Sequence, residues 1–401
     1  MYAAKFNKDP EVLRLLIKEC ALTNNGRIKA QGIETVTLSE NATKTNINQT
    51  GSTVEYYGTF TAGTAPCLGL SYNNIEFTGS AQGEIDSTLE VSGTTLILTS
   101  GTLNLSSSEN NFTGNITIGD STTPTYAGTI TINGVSGTTP NPLKIAANAY
   151  ATALTFNSPV QLNGNVTTTG NQQYDSTVQT ATSASNISAG TSGNITFADT
   201  LSLGNDLSVT AAAINFKNDL LDGSDGVTPT HNLTITGATT LTPTADTLKV
   251  NTKSVTFDGT LAGATNSVNL TLAGTTATFE NTVNSLHAFS AAGNVTFNGS
   301  VGETTSLNSI DVTGTTIINA EKINTTSTQT YTNAVIIKSD TTITASELTF
   351  NSTVDADTDN SHTVTFNAQT KLNGSVGATH KLNNITFANT TTTISAISIN
   401  S

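Results

Sequence analysis

Asn294-Val295-Thr296-Phe297-Asn298-Gly299-Ser300-Val301-Gly302 carries the pattern that decides the fold. In an extended segment side chains alternate between faces, so Val295 and Phe297 share one side and Thr296 takes the other. The Asn-Gly that follows is a turn signal. The same apolar-Thr-Phe triplet returns as Leu154-Thr155-Phe156, Ile195-Thr196-Phe197, Val255-Thr256-Phe257, Leu348-Thr349-Phe350, Val364-Thr365-Phe366 and Ile385-Thr386-Phe387, with looser versions ending at Phe77, Phe216 and Phe279. From Phe156 onward the series runs Phe197, Phe216, Phe257, Phe279, Phe297, Phe350, Phe366 and Phe387. Most of its gaps are one or two multiples of roughly 20, a period of solenoids. Phe156, Phe197, Phe257, Phe297, Phe350, Phe366 and Phe387 are therefore expected to form a core ladder.

Longer matches support the repeat. Asn298-Gly299-Ser300-Val301-Gly302, Leu307-Asn308 and Ile310 reappear without a gap as Asn373-Gly374-Ser375-Val376-Gly377, Leu382-Asn383 and Ile385. Thr168-Thr169, Gln172, Tyr174 and Val178 match Thr325-Thr326, Gln329, Tyr331 and Val335 at a constant offset about twice as long. These offsets predict duplicated blocks about four coils deep, at roughly 20 residues per coil.

Between these matches the chain alternates, as in Val36-Thr37-Leu38, Ile116-Thr117-Ile118, Leu233-Thr234-Ile235 and Val268-Asn269-Leu270-Thr271-Leu272. Short apolar/polar runs bounded by Gly, Asn, Asp or Ser read as strands with one buried face, and Asn163-Gly164, Asp258-Gly259 and Asn373-Gly374 mark further turns. Tandem immunoglobulin-like sandwiches would need about seven longer strands per roughly 100 residues. The shorter recurrence instead predicts an all-β fold, a parallel β-helix or β-solenoid over residues 31–401. Residues 1–30 differ in kind. Asp9 suits a helix cap, Pro10 the first helical position and Glu11 the first turn. Leu13, Leu16 and Ile17 then fall at helical spacing. A short capping α-helix from Pro10 to Ala21 is expected to cover the first coil and its strand edge.

With 401 residues and no proline-rich or charged linker, a solenoid accounts for the length, since each coil needs only its neighbours. The formal net charge of −14 opposes contact with phosphate backbones, so no nucleic-acid partner is expected. The only arginines are Arg14 and Arg27, which removes bidentate guanidinium capture from the body of the chain. Cys20 and Cys67 are too few to staple a fold of this size. No apolar run approaches the roughly 20 residues of a membrane helix, so no membrane span is expected. The first thirty residues carry no signal-peptide core.

Residues 3–21 resemble half of an ankyrin repeat, through Ala3-Ala4, Asn7, Pro10-Glu11-Val12 and Leu15-Leu16-Ile17. No second copy follows, and one half-repeat cannot bury its own face. From about residue 70 to 401, the Thr168-Thr169-Gly170-Asn171-Gln172-Gln173-Tyr174 segment, its copy around Tyr331 and the Val295-to-Gly302 block resemble the repeat region of bacterial filamentous-haemagglutinin-like and autotransporter-passenger surface adhesins. The resemblance implies a right-handed parallel β-helix outside the cell, a monomeric stalk or passenger whose partner is a host or cell-surface protein or glycan. It implies no catalytic residues and no cofactor. The secretion domain and membrane barrel of such proteins have no counterpart in this chain, which ends inside an expected strand and reads as a fragment.

The competing class is a polysaccharide-active β-helix enzyme, lyase or hydrolase, which needs clustered carboxylates with calcium or paired acids about 5 to 10 Å apart. The best acidic set, Asp355, Asp357 and Asp359, matches the first three ligands of a calcium loop. Asn360 and Phe366 then stand where that loop requires Gly and Glu, so a solvated acidic turn is the expectation. Asp219, Asp222 and Asp225 form a weaker set, and His231, His287, His362 and His380 have no metal-binding spacing. Sequons such as Asn115-Ile116-Thr117 and Asn294-Val295-Thr296 follow from a composition rich in Asn and Thr.

Overall fold

The computed structural model describes residues 26–32, 48–63, 66, 71–108, 110–119, 127–134, 142–145, 147–181, 183–222, 228–388, 392–395 and 398–400. Among the described residues every regular element is a strand. The strands pair in parallel, coil over coil, as a β-solenoid. The helix expected from Pro10 to Ala21, Cys20 and Cys67 lie outside the described residues. Strand pairing begins with Arg27–Ala30 against Thr53–Tyr56, slightly before the expected start at 31. The chain divides into two compact units, Met1–Ser176 and Thr177–Ser401.

In the second unit each coil runs along three walls. The first wall stacks Leu201–Leu203, Leu220–Asp222, Thr247–Asn251, Asn269–Leu272, Ala288–Ala291, Ser309–Val312 and Thr328–Tyr331, continuing through residues 347–350 and 369–372 to Thr392–Ile394. Its inward column reads Leu201, Leu220, Val250, Leu272, Ala291, Val312, Tyr331, Phe350 and Leu372 in unbroken register, and Ile394, exposed, continues that register on the last strand. From Leu272 through Ala291, Val312 and Tyr331 to Phe350 the register partners succeed one another at the period of roughly 20 read from the phenylalanines. The second wall stacks Ile235, Phe257, Phe279, Phe297, Ile318, Ile337 and Ala356, and the third Leu261, Val283, Val301, Ile323, Ile343, Phe366 and Phe387. Each buried aliphatic or aromatic side chain in such a column contributes roughly 1.5 to 3 kcal/mol.

The phenylalanines therefore occupy three walls and form short stacks that meet across the interior, as where the ring centroids of Phe350 and Phe366 lie 5.3 Å apart. Phe257, Phe279 and Phe297 stack on the second wall with ring centroids 5.3 and 5.5 Å apart. Phe350 lies on the first wall over Tyr331 at 5.3 Å, and Phe366 meets Phe387 on the third at 5.5 Å. Phe197 stacks on Phe216 at 5.2 Å, and in the first unit Phe156 stacks on Tyr174 at 5.7 Å. All of the expected ladder is buried except Phe387, which is half-exposed on the last coil.

The match of residues 298–310 with 373–385 is not a duplication of whole coils. Val301 bridges Val283 and Ile323 on the third wall, whereas its counterpart Val376 bridges Val354 and Ile399 on the second. The offset is three coils and two walls, one wall short of four coils. What repeats is a corner with its flanking strands, because any wall offers the same buried column to an apolar-x-apolar segment. The Asn-Gly and Asp-Gly pairs mark those corners for a steric reason. A Cβ on Gly259, Gly299 or Gly374 would fall 2.0 to 2.3 Å from backbone of the coil beneath, and none of the three has positive φ.

In the first unit one wall stacks Arg27–Ala30, Thr53–Tyr56, Asn74–Phe77, Thr95–Ile97, Asn115–Ile118, Leu143–Ile145 and Val160–Leu162. A second stacks Gln82–Ile85, Leu103–Leu105, Ala127–Ile132, Ala149–Phe156 and Gln172–Tyr174. The third wall changes place. In the early coils it is Ser71–Tyr72, Glu90–Val91 and Asn111–Phe112, each preceding a strand of the first wall. From residue 149 it is instead residues 149–151 over Val166–Thr168, which follow the first wall. The short early wall carries a surface depression.

Candidate functional site

The acidic residues hold successive coils together. Asp355 Oδ1 accepts the amide of Thr379 at 3.0 Å, and Asp359 Oδ1 accepts that of Lys381 at 2.9 Å, both one coil later. Asp357 turns to His362 Nε2 at 2.9 Å, with Thr358 and Ser361 beside it. The three side chains thus serve three separate bonds and do not converge. Among the described residues no group of three or more His, Cys, Asp or Glu is placed to hold a metal ion. Burial of the Asp357 carboxyl opposes its ionisation, but the His362 hydrogen bond and charge outweigh that and hold it below the ordinary carboxylate range.

The same clasp recurs where the sequence places Asp or Asn at a corner. Asp219 accepts the amide of Lys249 at 2.8 Å, Asp340 that of Thr363 at 2.7 Å, Asn74 that of Thr94 at 2.9 Å and Asn294 that of Thr315 at 2.9 Å. Asp206 accepts the backbone and side-chain amides of Asn232, and the backbone bond above all lowers its pKa. Asp222, buried, accepts the amides of Thr230 and His231 and meets His231 Nδ1 at 2.8 Å. Asp225 lies outside the described residues. Asp219 and Asp222 thus clasp backbone, an arrangement suited to fixing a corner more than to activating a water.

Another charged cluster sits on the first described strands. Glu55 accepts Lys29 Nζ at 2.7 Å, Thr78 Oγ1 at 2.7 Å and Arg27 Nε at 3.3 Å, while Arg27 Nη1 reaches Glu76 Oε1 at 2.9 Å. Burial pushes the Glu55 pKa up, yet the hydrogen bonds from Lys29, Thr78 and Arg27, with the Lys29 charge, carry it below its ordinary value. The Glu76 hydrogen bond and the acidic charges raise Arg27 against the opposing effect of burial. Lys29 and Arg27 are thereby engaged as a coil-to-coil ion ladder.

What the sequence reading missed is a polar depression of about 240 Å³ on the early third wall of the first unit. Tyr72, Val91 and Phe112 point inward and are buried, which leaves Ser71, Glu90 and Asn111 as an outward column in register. Asn73, Ser92 and Thr113 follow two positions on, with Asn48 and Thr50 at the rim. The signal was present in Ser71-Tyr72-Asn73, Glu90-Val91-Ser92 and Asn111-Phe112-Thr113, polar-apolar-polar triplets that recur once per coil. Without a Phe at their centre in all three copies, they fall outside the apolar-Thr-Phe pattern.

The class defined by this fold is the parallel β-solenoid with a polar, weakly charged exterior. No protein-family model, no curated protein and no solved structure matches this chain. Among the described residues no helix is long and apolar enough to cross a membrane.

Proposed function

We propose that this chain is a non-enzymatic adhesive solenoid displayed outside a bacterial cell, a stalk or passenger that meets its partner through its side walls. The observation that carries the reading is the engagement of its carboxylates. Asp206, Asp219, Asp340, Asp355 and Asp359 each bind a backbone amide of the following coil. Each of these carboxylates is committed to joining one coil to the next, and a wall built from such ties is a scaffold. The outward Thr, Asn and Ser offer hydrogen bonds along an extended surface, which suits contact with a surface partner.

Beads coated with the full chain, flowed over glycan-coated or cell-coated surfaces, are expected to be retained. The same protein incubated with pectic, uronic and neutral polysaccharides is expected to release no new reducing ends and no unsaturated products. Turnover of any of these polymers would replace the adhesive reading with that of a polysaccharide-active β-helix.

A further inference from the structure

The depression on the early third wall has a chemistry of its own. Ser92 and Thr113 donate their hydroxyl protons to backbone carbonyls, at 3.3 Å to Tyr72 O and 3.2 Å to Val91 O. Ser71 donates to Glu90 Oε2 at 3.4 Å. With these protons committed to the protein, and one lone pair of Ser92 Oγ taken by Asn73 Nδ2 at 3.2 Å, the remaining lone pairs of the hydroxyls and the Glu90 carboxylate face the depression. The surface is therefore rich in acceptors and calls for a ligand rich in donors.

Among the lining residues that carry donors, Asn111 has a side-chain amide that makes no hydrogen bond among the described residues and can both donate and accept. Glu90 is the sole charged group among the described residues lining the depression, and the whole chain carries −14, so phosphate, sulfate and carboxylate ligands meet repulsion. The groups stand on paired strands, and two of the hydroxyls are fixed by bonds to carbonyls. Little ordering remains to be done when a ligand arrives.

We propose that this depression is a binding site for a neutral sugar residue, whose hydroxyls donate to Glu90, Ser92 and Thr113 and whose ring substituents pair with the Asn111 amide. It names the ligand class for the adhesive reading and rests on that reading for its biological use. Sugar recognition here works through hydrogen bonds on successive coils and needs no aromatic platform. The polar triplets, repeated once per coil, would be the sequence record of the site.

Saturation-transfer NMR on the full chain, with free galactose, mannose, glucose and N-acetylglucosamine as probes and a sialylated trisaccharide as the anionic comparator, tests it. At least one neutral sugar is expected to take up saturation and the anionic one not to. Asn111→Ala and Glu90→Ala are each expected to weaken the best sugar at least tenfold, and Ser92→Trp, which fills the depression, to abolish binding. Asn111 anchors nothing through its side chain among the described residues, so Asn111→Ala keeps the test valid should another variant fail to fold. No saturation of any neutral sugar, preference for the anionic one, or equal binding by all folded variants would overturn the assignment. If sugar binding is lost in the variants while uncoated and coated beads are retained alike, the adhesive reading fails and the sugar site stands.

Discussion

Tyr331 donates its phenol hydrogen to Gln329 Oε1 at 3.0 Å inside the solenoid, and both side chains are buried. The Gln329 amide reaches Ile323 O at 3.2 Å, Thr325 Oγ1 at 3.2 Å and Thr344 O at 2.9 Å, so one side chain serves two coils. Tyr174, Gln172 and Thr168 make the equivalent relay in the first unit, at 2.8 and 3.1 Å. The sequence match between these two segments is thus a repeated buried polar network. Burial also raises both phenols above their ordinary pKa, so they remain donors through the neutral range.

Gln329 stands in register between Ile310 and Leu348, where an aliphatic side chain would continue the column. Gln329→Leu adds apolar volume but removes the acceptor of the Tyr331 phenol and the amide that Ile323 O and Thr325 Oγ1 receive, while Thr344 O keeps the backbone amide of Thr325. An unsatisfied buried group costs about 1 to 3 kcal/mol. The variant is therefore expected to be destabilised by about 1 to 3 kcal/mol, read as a lower urea midpoint. A midpoint at or above that of the parent would show that the network is incidental.

Phe279 stacks between Phe257 and Phe297 and also meets Phe289 edge-on at 5.6 Å. Phe279→Ala is expected to cost about 3 to 5 kcal/mol, within the range of buried aromatic truncations. Phe387→Ala, on a half-exposed ring, is expected to cost much less. Because each coil contacts only its neighbours, hydrogen exchange should accelerate in the coils around Phe279 and stay slow around Tyr331. Uniform acceleration would contradict this local picture.

Much of this fold was legible in the sequence, and the reason is physical. An apolar-Thr-Phe strand needs an inward column, and any column of parallel coils supplies one, so the repeat period survives in the register from Leu272 to Phe350. Wall identity was not legible. Corners vary in length, as the long step from Leu220 to its register partner Val250 shows, and phenylalanines assigned to one ladder fall on three walls. The depression was equally hidden, because its outward residues are ordinary Ser, Asn and Thr whose convergence depends on where the third wall runs. Asp355, Asp357 and Asp359 looked like a cluster only because sequence spacing does not show that amides of the next coil claim Asp355 and Asp359 one by one.

Glycine is required at a corner column of the second unit. A Cβ on Gly274 would lie 1.9 Å from Thr252 O, and one on Gly293 would lie 2.3 Å from Gly274 O. Both contacts are with backbone, which cannot swing aside. Gly274→Ala is expected to lower the melting temperature by several degrees, consistent with overpacking costs of about 1 to 3 kcal/mol. Gly26→Ala, where nothing lies within 4 Å, is the matched control and is expected to melt with the parent.

Glu55 predicts a pH dependence. Its folded pKa lies below its ordinary value, so its contribution to stability is present above the unfolded carboxylate range near 4 and is lost as pH falls through the lower folded value. Asp206 and Asp357 act in the same direction. The parent is expected to lose melting temperature on acidification from about pH 5 toward about 3, and Glu55→Gln to lose less across that window. Parallel profiles for the two proteins would mean that the Arg27, Lys29 and Thr78 contacts do not hold the carboxylate in solution.

Thr316 offers the opposite test, a substitution expected to stabilise. It stands in register between Val295 and Val335 on the second wall, fully buried, and its hydroxyl has no hydrogen-bond partner among the described residues. A buried hydroxyl without a partner costs about 1 to 3 kcal/mol. Valine keeps the branched shape and removes the polar atom, so Thr316→Val is expected to raise stability by about 1 to 2 kcal/mol. Thr95, between Ile75 and Ile116 in the first unit, repeats the arrangement, and Thr95→Val should do the same. Urea midpoints check both at once. A loss of stability in either variant would mean that the hydroxyl has a partner in solution, such as a trapped water, and that the column is polar by need at that coil.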